Sequence, residues 1–128
     1  MANSNSQYGS FLESYDEGNT FLQSAAQGFI DQINIDKHPI INSDDKELSQ
    51  SFTSVEDVLN NRDTDNYEKM NLAGNLLTTI TPQIINSTDP IAKRSGKNII
   101  NNFFNVAKKT EDQQLLNTAN QIASHFNS

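Results

Sequence analysis

The stretch NTFLQSAAQGFIDQIN, Asn19–Asn34, decides the fold class. Phe21, Leu22, Ala25, Ala26, Phe29, Ile30 and Ile33 recur at spacings of three and four, the period of one helical face; a half-buried strand would alternate in twos. Asn19 stands in front of the stripe, where a side-chain oxygen can accept an orphan backbone N–H. Upstream, Tyr8, Phe11, Leu12 and Tyr15 fall on one helical face of nearly the same phase. Gly18-Asn19 therefore marks either a break between two helices or a bend in one. Residues 1–7 carry no such pattern and are expected to be disordered.

Downstream, the same period returns three more times. Tyr67, Met70, Ala73, Leu77, Ile80 and Ile84 form one stripe, and Ile99, Ile100, Phe103 and Val106 or Ala107 a second. Leu115, Leu116, Ala119, Ile122, Ala123 and Phe126 form the last, with Thr110 and Gln113 as its expected cap. Proline sets the expected boundaries. Asp36–Asn42, DKHPIIN, reads as a connection because the residue before Pro39 is pushed away from helical geometry. Pro82 predicts a stop or restart near Thr81, and Thr88-Asp89-Pro90 a fresh start. Ser43 or Asp44 is expected to cap a turn, and Ser54 with Asp57 to open a short helix through Val55, Val58 and Leu59. No strand pattern longer than INI at 33–35, and no internal repeat, is evident. The expected fold is all-α: one domain over residues 1–128, a compact bundle of about four main helices plus one or two short ones.

Composition limits what such a domain can be. Leu, Ile, Val and Phe make up 31 of 128 residues, enough for one modest core. The polar residues are rich in amides, with 18 asparagines, so the helices depend on packing more than on propensity. Without cysteine there is no disulfide or thiolate metal site. The N-terminus lacks the basic and apolar regions of a signal peptide, and no apolar run approaches membrane length, so a soluble, cytoplasmic protein is the default. The net charge of −7 is unevenly placed: residues 1–68 hold 13 acids and 3 bases, residues 69–128 hold 3 acids and 6 bases. Two surfaces of opposite sign can complement each other within the fold or between chains.

Sites of chemistry are scarce. Asp63 and Asp65 in RDTDNYE match the first two ligand positions of a calcium loop, but Tyr67 and Glu68 stand where a third oxygen ligand and a glycine are required. Thr64 or Asp65 as a helix cap, with Glu68 in the first turn, explains the stretch without a metal. His38 and His125 have no acid or hydroxyl at the spacing of a triad or metal site. Lys93, Arg94 and Lys97 are candidates for phosphate contact, but KRSGKN lacks the P-loop pattern, and the overall negative charge disfavours nucleic acid as a main partner.

The apolar pairs Phe103-Phe104 and Phe21-Leu22 are the more pointed signal. Adjacent helical residues diverge by about 100°, so one narrow stripe can hardly bury both: either the helix is central and its buried stripe wide, or one member of the pair faces a partner. These four residues are the candidate partner-binding set. The expected function is a non-enzymatic protein–protein interaction module: an adaptor, chaperone, inhibitor or immunity-type protein, binding another protein or itself, with no cofactor. Two alternatives stand beside it. One is a nucleic-acid-associated regulator using the basic segment 93–109; the other is a small enzyme assembled from distant residues such as His38 and His125.

Overall fold

The computed structural model describes the backbone of residues 2–127 and the side chains of residues 19–127. The expected face of Tyr8, Phe11, Leu12 and Tyr15, and the expected disorder of residues 1–7, fall outside the fully described residues. The fold is all-α, with five helices: α1 (Ala2–Ile41), α2 (Lys46–Leu59), α3 (Asn66–Ile85), α4 (Pro90–Thr110) and α5 (Gln113–Ser124). No described helix is long and apolar enough to cross a membrane. The core is built from the stripes legible in the sequence: Phe29, Ile33, Met70, Leu77, Ile99, Ile100, Phe103, Leu115 and Ile122 are all buried.

Four of the helices open on an aspartate. Asp45, Asp65, Asp89 and Asp112 each accept a backbone N–H from the first turn of α2, α3, α4 and α5 respectively. At Asp65, the Glu68 N–H donates to Oδ1 at 2.8 Å, so RDTDNYE is the start of a helix. Two expected caps are corrected. Asp45, not Ser43 or Asp44, opens α2, and it does so nine residues before the expected cap at Ser54, leaving Ser54 mid-helix. Asp112, not Thr110, caps α5; the Thr110 hydroxyl donates instead to the Val106 carbonyl at the end of α4.

Proline ends neither α1 nor α3. α1 runs through Gly18-Asn19 and on through the expected connection to Ile41, and α3 runs through Pro82 to Ile85. Each proline sits in the last turn, where it removes one ladder bond instead of interrupting a helix interior. The residues that follow, Ile40 and Ile84, are completely buried. Burying an isoleucine contributes about 1.5–3 kcal/mol, comparable to the roughly 3 kcal/mol interior proline penalty and larger than its fraction at a helix end. Packing thus overrides the local preference.

The absence of an internal repeat is also corrected. Residues 40–45, IINSDD, recur as IINSTD at 84–89, forty-four positions later. The two copies share their backbone hydrogen bonds. Asn42 N–H donates to the His38 carbonyl as Asn86 N–H does to that of Pro82, and Ser43 N–H donates to Ile40 as Ser87 N–H does to Ile84. The repeat extends into the core, where Ile33, Leu48, Val55 and Leu59 are buried at positions matched by Leu77, Ala92, Ile99 and Phe103. The hairpin α1–α2 therefore resembles the hairpin α3–α4. The most extensive packing joins α1 to α4 and α2 to α3, the reciprocal arrangement of an approximate two-fold axis.

A reciprocal clasp lies where the two copies meet. The Ser43 hydroxyl donates to Asp89 Oδ2 at 2.7 Å, and the Ser87 hydroxyl donates to Asp45 Oδ2 at 2.7 Å. Each serine oxygen also accepts the backbone N–H of its own aspartate, Asp45 or Asp89. The caps of α2 and α4 are thereby tied to each other. The Ser43 hydroxyl, then the Ala92 and Ile91 N–H groups, hold the Asp89 carboxyl below the usual carboxylate range, with burial opposing them. The folded state then binds fewer protons than the unfolded one in acid, so this contribution is fully present above roughly pH 4 and is lost as pH falls through the lowered value. Ser43→Ala is expected to lower stability at neutral pH and to flatten the acid dependence. Thermal unfolding of both proteins at neutral pH and between roughly pH 2 and 4 checks this; identical curves would remove the clasp from the stability of the fold.

Candidate partner-binding surface

The adjacent apolar pairs divide between core and surface. Phe103 is 0% exposed, its ring edge-to-face with Phe29 at a centroid distance of 5.5 Å. It is enclosed by the core and has no surface to offer a partner. Phe104, about 100° round the helix, is only half-buried. Phe21 is 44% exposed, while its neighbour Leu22 is half-buried. In each pair, one member lies further out than the other.

The placement of α5 turns Phe104 into one wall of a groove. α4 ends with Glu111 in the left-handed region (φ 54°, ψ 21°), a conformation that closes a helix and reverses the chain. Asp112 follows and starts α5, its Oδ2 accepting the Leu115 N–H. The same carboxylate accepts the Tyr67 hydroxyl at 2.5 Å, tying the start of α5 to that of α3. Burial, supported by this carboxylate and opposed by Asn71, pushes the Tyr67 hydroxyl above its ordinary pKa and keeps it a donor. Fixed at this corner, α5 returns alongside α4. Phe104 and Lys108 of α4 and Leu116, Ala119, Asn120 and Ala123 of α5 then line an open, mainly apolar groove of about 290 Å³. Phe126, three residues beyond Ala123, is 43% exposed.

The lining of the groove offers one aromatic ring, aliphatic surface, an amide and one ammonium, and no carboxylate or imidazole. A further cleft between α1 and α4 is lined by Gln32, Asp36, Asn98, Asn101, Asn102 and Asn105, and one beside the clasp by Asp45, Glu47, Pro82, Gln83 and Asn86. Neither contains a histidine. His38 is exposed in the last turn of α1, and His125 is the C-cap residue of α5. Among the described residues, no three His, Asp or Glu side chains gather as a metal site. Arg94 and Lys97 are exposed on α4, and Lys93 is half-buried.

No family model, curated protein or solved structure matches the chain. The sequence singled out Phe104 by its pairing with Phe103, but held no sign of the groove that Phe104 lines. Leu116, Ala119 and Ala123 read as one more core stripe, and only the reversal at Glu111 shows which of them remain reachable.

Proposed function

We propose that the protein is a non-enzymatic interaction module that binds a helical segment of a protein through the α4–α5 groove. The observation that carries this reading is the half-buried Phe104 facing Leu116, Ala119 and Ala123 across an open apolar cleft edged by Lys108. An amphipathic helix fits such a groove by laying its apolar face between two walls, with anchors spaced three and four residues apart. The lysine favours a partner with acidic flanks. Adaptor, chaperone, inhibitor and immunity roles all use a surface of this kind.

Capture from the native host with wild-type protein and with Phe104→Ser tests the proposal. A partner held by the wild type and lost by a variant that stays folded, with a melting temperature lowered by no more than about 5 °C, is the expected result. An identical set of captured proteins would reject the groove as the working surface. A second reading has one supporting observation: α4 carries five bases, Lys93, Arg94, Lys97, Lys108 and Lys109, and no acid. DNA or RNA binding that weakens steeply with salt would replace the first reading with this one.

A further inference from the structure

We infer that the α4–α5 groove is filled by residues 8–17 of a second copy of this chain, so that two copies exchange their N-terminal segments. The inference rests on the groove being a protein-binding surface and names its occupant.

The segment YGSFLESYDE, residues 8–17, has the matching chemistry. Tyr8, Phe11, Leu12 and Tyr15 place three aromatic rings and a leucine on one helical face. The other positions include Glu13, Asp16 and Glu17, and residues 1–18 contain no base. The groove presents the complement. Lys108 is the charged residue in its lining, Lys109 is exposed beside it, and α4 carries no acid along its length. Ala119 and Ala123, one helical turn apart, leave room for a ring against the α5 wall, and Phe104 and Lys108 repeat that spacing on α4.

Connectivity decides which copy supplies the segment. α1 is continuous from Ala2 to Ile41. A continuous helix cannot turn back across its own bundle, so residues 8–17 cannot enter the groove of their own chain and a second copy must supply them. Exchange between two copies satisfies both grooves and closes the assembly, which keeps it a dimer instead of an open chain.

Sedimentation and light scattering of the full-length protein over a concentration series test the inference. The expected result is a concentration-dependent dimer. Phe11→Ser and Phe104→Ser should each raise its dissociation constant about thirtyfold or more, the usual loss for an interface anchor, while the monomer stays folded with an unchanged helical content. Mixing the two variants should give a tighter dimer than either alone, since each chain keeps the part that the other lacks. Lys108→Glu, a surface change that leaves packing intact, should also weaken the dimer, about tenfold at low salt. A protein that stays monomeric, a dimer indifferent to these substitutions, or a mixture no tighter than its components overturns the inference. If the monomer still captures a host protein through Phe104, the groove remains a binding surface with a foreign occupant. If nothing depends on Phe104, the reading of the groove fails as well.

Discussion

Phe103→Ala is expected to destabilise the protein by about 3–5 kcal/mol, while Phe104→Ala costs about 1 kcal/mol or less. Both residues are phenylalanines on one helix, one position apart, so propensity and side-chain type are held constant. What differs is the environment. The Phe103 ring fills the space between Phe29 and α3, where its Cε2 and Cζ lie 2.6 Å from the position of a β-carbon at Gly74. Removing it leaves a cavity that two rigid helices cannot collapse around, and the cavity adds to the lost transfer energy. Phe104 already meets solvent on one side, so its removal opens no closed void. For a chain of this length the first change corresponds to a fall of roughly 10–20 °C in melting temperature. Thermal and denaturant unfolding of the two variants decide the matter; equal losses would place both rings in the core and leave the groove without an anchor.

The glycines of α1, α3 and α4 should respond to alanine with opposite signs. A β-carbon on Gly74 would stand 2.6 Å from the Phe103 ring, and one on Gly96 would stand 2.7 Å from Ile84 Cγ2. Both distances are far inside van der Waals contact, and neither neighbour can yield, because Phe103 and Ile84 are fully buried. Overpacking costs about 1–3 kcal/mol, and the better helix propensity of alanine returns about 1 kcal/mol, so Gly74→Ala and Gly96→Ala should each destabilise, by up to about 2 kcal/mol. Gly28 sits in the same kind of helix with nothing within 4 Å of the added carbon. There the propensity term stands alone, and Gly28→Ala should stabilise by about 0.5–1 kcal/mol. Calorimetry of the three variants measures this directly. Stabilisation at Gly74 or Gly96 would show that α3 and α4 pack less closely than the structure has them.

The clasp shows how a local signal becomes legible only in retrospect. IINSDD and IINSTD are both visible in the sequence, but six residues recurring once across forty-four positions make a weak repeat when the intervening side chains differ. Phe29 is matched by Ala73 and Phe52 by Gly96, so the two hairpins hold bulk and space at opposite positions. Core packing conserves summed volume across the interface and not residue type at each site. The similarity therefore survives in hydrogen bonds and burial after it has faded from the letters.

The sequence by itself determined the helical class, the buried stripes of α1, α3, α4 and α5, and the helix starts at Thr64 or Asp65 and at Thr88-Asp89-Pro90, where the structure makes the aspartate the cap each time. These follow from the 3.6-residue period and from side-chain oxygens placed beside orphan N–H groups, both of which act over a few residues. Tertiary structure alone decided the rest. It carried α1 past Pro39 and α3 past Pro82, because burying Ile40 and Ile84 outweighs the loss of a terminal ladder bond. It joined Ser43 to Asp89 and Ser87 to Asp45 across more than forty residues. It also separated Phe103 from Phe104: the period says that they point apart, but only the position of α5 determines which one the molecule keeps and which it presents.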